Sequence, residues 1–168
     1  MTPQASLSRN VRLALTVLSL YIAFVFVQSL FFKFSDSPET QHIFGTLDAW
    51  AAGFGLPGLF TKSGPFSQYV VGSAELVASA LLLGGLATRR AILSAAGALL
   101  ALGVISGAIF FHLFTPLGVQ VVDTDGSKDG GLLFAMACGV WLASAAILWL
   151  LRDHLAALLP PGVRKAGA

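Results

Sequence analysis

The chain has 168 residues, of which 56% are hydrophobic and 11% charged, and its formal net charge at pH 7 is +2. A soluble domain carries about 25% charged residues, so the composition indicates a membrane protein, and the length fits one domain. The small net charge argues against a nucleic-acid partner. The hydrophobic composition instead predicts a lipid bilayer as the protein's surroundings.

Four apolar runs fill most of the sequence, and each has about the length of a membrane-spanning helix. The first follows Arg9 and Arg12, as a signal-peptide core would, but it is too long and has no small-residue cleavage site before Lys33. We therefore interpret it as an uncleaved anchor. The predicted spans are about 11–33, 66–87, 90–112 and 132–151.

Small residues recur within these runs, including a G-x-x-x-G pair formed by Gly103 and Gly107. Small side chains let membrane helices approach closely, so this pair predicts a tight helix contact. The lone Cys138 has no partner for a disulfide within the chain and is interpreted as a packing residue. Together the runs predict an all-α fold, an integral membrane antiparallel four-helix bundle.

Cations are concentrated before the first run, between the second and third, and after the fourth. The two remaining loops carry mainly aspartate and glutamate. By the positive-inside rule, an N-terminal segment at 1–10 and a tail at 152–168 are predicted to be cytoplasmic. The acidic loops then face outward. The inner cations are Arg9, Arg12, Arg89, Arg90, Arg152, Arg164 and Lys165.

The first outer loop contains a helix-start signature, in which Ser37 precedes Pro38 and Glu39. Apolar residues then recur at helical spacing as far as 54, and Trp50 is among them. The pattern predicts a short amphipathic helix at about 38–54, lying in the outer interface. In the second outer loop, the acids at 123–126 lack most of a calcium-binding pattern and are interpreted as an exposed turn.

Glu75 is the only acidic residue inside the four runs. A carboxylate at the centre of a membrane helix costs about 2.5–3.5 kcal/mol and usually faces a bundle interior. Gln28, Lys33 and His112 lie at similar depth in the outer half of the predicted bundle. We therefore predict Glu75 as a proton-handling acid, with Gln28, Lys33, His112 and Trp50 as ligand-binding residues and no metal site.

Each of these residues also has a purely structural explanation. Lys33 could extend its ammonium group to the interface, Gln28 could bridge helices, and His112 could be an interfacial residue with a satisfied ring. A Lys33–Glu75 ion pair inside the bundle is compatible with either interpretation, because pairing reduces the cost of burial.

Several stretches around these residues resemble the DoxX family of small four-helix bacterial membrane proteins. The family pattern has a lysine ending the first helix, a Gly-Leu-Pro-like turn, a glutamate in the second helix and a Thr-Arg turn after it. The third run, which ends at His112, is similar too. The matching stretches are Phe31-Phe32-Lys33-Phe34, Gly55-Leu56-Pro57, Gly72-Ser73-Ala74-Glu75-Leu76 and Leu83-Gly84-Gly85-Leu86-Ala87-Thr88-Arg89.

The resemblance implies a role in redox chemistry at the bacterial inner membrane, since the family is named after a subunit of a thiosulfate:quinone oxidoreductase. The sequence has no histidine pair spaced for haem, no C-x-x-C and no glycine-rich nucleotide loop. Electrons would then be carried by a bound quinone or by the cofactor of a membrane or periplasmic protein partner. Two alternatives remain open: a non-catalytic accessory subunit of a larger membrane complex, and a binder of a small lipophilic ligand.

Overall fold

The computed structural model describes residues 7–121 and 126–156, and within these ranges it contains five helices and no strand. Four of them, α1, α3, α4 and α5, are long and apolar enough to cross a membrane. The predicted all-α membrane fold is therefore confirmed. Of the predicted turn at 123–126, only Gly126 lies within the described residues. The helices are α1 (Arg9–Phe34), α2 (Pro38–Ala52), α3 (Gln68–Thr88), α4 (Ala91–Phe114) and α5 (Leu132–Ala156).

The four long helices form a ring in which α1 packs on α3 and α5, and α4 packs on the same two helices. The chain reverses at each connection, so every helix is antiparallel to both of its neighbours. Large residues fill the centre, among them Ile22, Phe26, Leu82 and Ile147. We call the end at which α1 and α4 finish, and at which α3 and α5 begin, the outer end.

The outward surfaces of the long helices are apolar as well. Phe24 on α1, Leu99 on α4 and Leu142 on α5 are each more than 60% exposed. Soluble proteins rarely expose apolar surface on this scale, and a bilayer would cover it.

The ends of the helices follow from short-range chemistry. Ser37 and Ser67 each accept a hydrogen bond from a backbone N–H in the first turn of α2 and α3. Arg89 ends α3 in the left-handed conformation, with φ of 55°, and its backbone N–H donates to the carbonyl groups of the last turn. Only two residues then separate α3 from α4, so these helices form a tight hairpin.

The α2 helix lies over the outer end of the bundle. Its buried residues Leu47 and Ala51 pack with Phe60 from the loop after α2 and with Leu117 and Val121 from the segment after α4. The Asp48 carboxylate accepts a hydrogen bond of 3.0 Å from the backbone N–H of Phe60, which fixes the loop against the helix. We call α2, the loop at 53–67 and the segment at 115–121 the outer cap.

The glycines that bring helices together are not the predicted pair. Nothing lies within 4 Å of the place where a Cβ atom would stand on Gly103 or Gly107, so the predicted contact within the bundle is wrong. At Gly97, by contrast, a Cβ atom would stand 2.9 Å from the carbonyl oxygen of Ala78 and from atoms of Leu82. This glycine on α4 sets the close approach of α4 to α3. The G-x-x-x-G spacing alone does not say which side of the helix faces a neighbour.

Candidate functional site

Glu75 lies inside the bundle and forms an ion pair with Lys33. The Lys33 Nζ atom is 3.1 Å from Oε1 and 3.0 Å from Oε2 of Glu75. The Glu75 side chain is 7% exposed and that of Lys33 is 15% exposed. The pair joins α1 to α3 near the outer end, at the depth that the sequence predicted for both residues.

Ser29 completes this cluster, and the sequence analysis did not single it out. Its hydroxyl is 2.7 Å from Oε2 of Glu75 and 3.0 Å from Nζ of Lys33. Because Ser29 and Lys33 are four residues apart on one helix, their side chains lie on the same face. That spacing was the signal that could have identified Ser29. We call Glu75, Lys33 and Ser29 the α1–α3 cluster.

The close approach of α1 to α3 depends on Gly72, one turn before Glu75. A Cβ atom at Gly72 would lie 3.3 Å from the ring of Phe34 and 3.4 Å from Leu30. The absence of a side chain therefore lets the end of α1 reach α3, so that the short Ser29 side chain can contact Glu75 directly.

A second polar network lies just outside the membrane-spanning part, around Asp36. Its Oδ1 accepts hydrogen bonds from Gln68 at 2.6 Å and Tyr69 at 2.8 Å, and its Oδ2 pairs with Lys62 at 2.7 Å. The Lys62 ammonium group is the main cause of a lowered pKa of Asp36. The buried Gln68 also donates to the backbone carbonyl of Lys33 at 2.6 Å. The network thus fixes the end of α1 to the start of α3, beside the α1–α3 cluster.

Of the other predicted site residues, Gln28 does not join the cluster. It is exposed on the surface of α1, one residue away from Ser29. Neighbouring positions on a helix are about 100° apart, so an inward Ser29 leaves Gln28 facing outward.

His112 is buried and holds the segment that follows α4. Its Nδ1 lies 2.7 Å from the carbonyl oxygen of Gly118, which requires a proton on Nδ1. The ring also packs edge-on against Phe134 of α5, at a centroid distance of 5.7 Å. These contacts assign His112 to the junction of α4 with the outer cap.

Asp129 performs a similar task at the start of α5. Its carboxylate accepts hydrogen bonds from the backbone N–H groups of Val121, Gly131 and Leu133, at 2.9 to 3.0 Å. Burial raises the pKa of Asp129, but the three donors and a smaller contribution from His112 together outweigh that effect, and the net pKa is lowered. The carboxylate therefore closes the loop before α5 and satisfies the free N–H groups at the helix start.

Trp50 lies in the outer cap, in contact with Phe54 and with Phe111 of α4. It helps to line an apolar cavity of about 280 Å³. A second cavity, of about 460 Å³ and with polar walls that include Asp48, Lys62 and Gln68, also borders on Phe60. The structure thus places Trp50 at a cavity that does not include the residues of the α1–α3 cluster.

The α1–α3 cluster combines an acid, a cation and a hydroxyl group. The Lys33 ammonium has three N–H donors, and three oxygens lie 3.0 to 3.1 Å from it, namely both oxygens of the Glu75 carboxylate and the Ser29 hydroxyl. The side chain of Lys33 is 15% exposed, so a ligand from outside the bundle could reach the ammonium and replace one of these contacts. Such a site can bind an oxygen acceptor and exchange a proton with it through Glu75. Among the described residues, no group of three potential metal ligands occurs.

A model of the DoxX family matches residues 14–117, which is more than half of the chain. The matched region includes most of α1 and all of α2, α3 and α4, and thus both Lys33 and Glu75. No curated protein and no solved structure matches the chain. The chain therefore belongs to the DoxX family.

Proposed function

We propose that this DoxX-family membrane protein is a small subunit or partner of a quinone-linked redox system. In this proposal, the α1–α3 cluster binds the polar head of a quinone and handles its protons. The observation that supports it most strongly is the contact of the buried Glu75 carboxylate with both Lys33 and Ser29, at 2.7 to 3.1 Å. Buried acids in membrane helices are costly and usually functional.

The chemistry balances if electrons come from elsewhere. Reduction of a quinone to a quinol takes up two electrons and two protons. The electrons would come from the cofactor of a protein partner, and the protons would pass through Glu75 to the quinone oxygens. The ammonium of Lys33 would exchange one of its present contacts for a quinone carbonyl oxygen, hold that oxygen and stabilise the negative charge that develops on it.

The proposed location is the bacterial inner membrane, with both termini in the cytoplasm. Arg9, Arg12, Arg89 and Arg90 lie at the inner end of the helices, which is the arrangement that the positive-inside rule favours for this orientation. The outer cap would then face the periplasm, and a partner that delivers electrons would approach it from that side.

A second candidate function is that of a non-catalytic accessory subunit, and the same ion pair favours it. Lys33 and Ser29 together provide partners for both oxygens of Glu75, so the pair is already a complete link between α1 and α3. In that case the cluster only fixes the helices, and a larger complex supplies all the chemistry.

Quinone binding by the purified protein in lipid nanodiscs separates the two candidates. A ubiquinone with one isoprene unit is titrated into wild type, Glu75→Gln, and the double variant Lys33→Met/Glu75→Gln. The double variant removes both charges together and so leaves no unpaired cation. Gln28→Leu is the matched control, because Gln28 is polar and lies at similar depth but is exposed.

We expect the double variant, which removes the Lys33 donor, to bind the quinone at least about tenfold more weakly, since a hydrogen bond to a charged group contributes about 1.5–3 kcal/mol. Glu75→Gln keeps that donor, so its loss of affinity should be smaller. Gln28→Leu should remain within about twofold of wild type. Equal affinity in all four proteins would contradict the proposed site. A folded wild-type protein that binds no quinone would support the accessory subunit instead.

A further inference from the structure

The apolar cavity of the outer cap is not used by the proposed function. Its walls are apolar and mostly aromatic, and they come from α2, from the loop at 53–67 and from α4. Its volume is about 280 Å³. The residues that line it are Trp50, Ala51, Phe54, Leu56, Leu59, Phe60, Phe66 and Phe111.

The cavity lies at the level where the membrane-spanning helices begin and end. Phe66 is two residues before the start of α3, and Phe111 is in the last turn of α4. Phe54, Leu56 and Phe66 are all more than half exposed, so the apolar lining continues onto the surface of the protein. An opening at this level faces the region where the hydrocarbon chains of the bilayer start.

The lining also restricts the chemistry of an occupant. Apart from the indole N–H of Trp50, no lining side chain has a hydrogen-bonding group, so water or a polar head would lose its partners there. A quinone ring, which has two carbonyl oxygens, is disfavoured for the same reason. A volume of 280 Å³ lies just below the usual range for whole small-molecule ligands, so the cavity fits part of a chain.

We propose that this cavity holds part of one acyl chain of a membrane phospholipid from the leaflet at the outer end. The chain enters between Phe54, Leu56 and Phe66 and packs against Trp50 and Phe111. Because none of these residues belongs to the α1–α3 cluster, the lipid site is independent of the quinone proposal. A bound lipid would fasten the outer cap to the bilayer.

Neighbouring alanines on α2 provide a matched pair of variants. Ala51 is buried and lines the cavity, whereas Ala52 is exposed and does not. Ala51→Leu fills the cavity from α2, and Ala52→Leu adds the same side chain outside it. Leu59→Phe fills the cavity from the loop, so that a folding defect in one filling variant does not decide the test.

The experiment uses the full chain in phosphatidylcholine nanodiscs that contain a phosphatidylcholine with a diazirine near the end of one acyl chain. After illumination, the labelled peptides are quantified by mass spectrometry. Labelling near Phe24, on the exposed face of α1, serves as the internal standard. We expect labelling in the 50–60 region of wild type and of Ala52→Leu. Labelling there should be at least about fivefold lower in both cavity-filling variants, because part of the buried chain is excluded.

Equal labelling of the 50–60 region in all four proteins would overturn the proposal, because it would reflect ordinary contact with bulk lipid. A long-chain ubiquinone is also added, at a concentration that leaves labelling near Phe24 unchanged. Loss of labelling in the 50–60 region would then overturn the proposal as well, because it would assign the cavity to a quinone tail. Glu75→Gln should leave the labelling unchanged. Failure of the quinone proposal therefore does not affect this result.

Discussion

Removing the charge of Glu75 should destabilise the bundle by leaving Lys33 without its anion. Breaking one side of a buried ion pair costs about 3–5 kcal/mol. Lys33 is 15% exposed and keeps its 3.0 Å contact with Ser29, so we expect Glu75→Gln to cost about 3 kcal/mol, at the low end of that range. Lys33→Met in the same protein should restore stability to within about 1 kcal/mol of wild type, because replacement of both charges is often nearly neutral.

The measurement is a double-mutant cycle, with unfolding in mixed detergent micelles followed by circular dichroism. The pair formed by Lys62 and Asp36 supplies the matched control, because both side chains are largely exposed, at 54% and 41%. Lys62→Met should have a much smaller effect than Glu75→Gln, because exposed ion pairs contribute little to stability. The reasoning would be refuted if Glu75→Gln and Lys62→Met had similar small effects, or if Lys33→Met failed to rescue Glu75→Gln.

Three further predictions concern packing, pH and orientation. Gly97→Ala should cost about 1–3 kcal/mol in the same unfolding assay, because its Cβ would stand 2.9 Å from atoms of α3. The control Gly103→Ala should be neutral or slightly stabilising, because its Cβ would meet nothing. Equal effects of the two substitutions would contradict the packing of α4 on α3. The pKa of Asp36 is lowered in the folded protein. The ionised Asp36 carboxylate therefore stabilises the fold at pH values above its ordinary pKa of 3.8, and this stabilisation is lost as the pH falls through the lower pKa of the folded state. Thermal unfolding of Asp36→Asn should therefore show a smaller loss of stability on acidification than wild type, and parallel pH profiles would count against this network. In a cysteine-free background, Thr61→Cys should react with an impermeant thiol reagent added from the periplasmic side only, and reaction only from the cytoplasmic side would show the opposite orientation.

The helices and the main ion pair were predictable because they depend on local chemistry and on depth. Twenty or so apolar residues define a span, and Ser37-Pro38-Glu39 defines the start of α2. Lys33 and Glu75 were both assigned to the outer half of the bundle, by counting residues at 1.5 Å each from the helix ends. Their contact follows once α1 and α3 are neighbours.

The rotation of each helix was harder to predict, because all sides of a membrane-spanning helix are apolar. Gln28 was expected at the cluster because of its depth in the outer half of the bundle, but the structure places Ser29 there. In the same way, Gly103 and Gly107 face away from the bundle and Gly97 faces α3. Hydrophobic periodicity, which orients helices in soluble proteins, carries little information here.

The contacts around Asp36 and in the outer cap depend on distant parts of the chain. Asp36 binds Lys62, Gln68 and Tyr69, which are 26 to 33 residues further along. Phe60 reaches α2 only because the loop folds back onto Asp48. No local pattern in the sequence marks such pairings, so they become visible only in three dimensions.

The most direct measurement of the central proposal is the infrared carbonyl frequency of a quinone bound to the protein. If Lys33 donates a hydrogen bond to a quinone oxygen, the bound quinone should show a carbonyl band at lower frequency than the same quinone in empty nanodiscs. That band should disappear in the double variant Lys33→Met/Glu75→Gln and persist in Gln28→Leu. A wild-type carbonyl frequency identical to that in empty nanodiscs would contradict binding of a quinone head at the α1–α3 cluster.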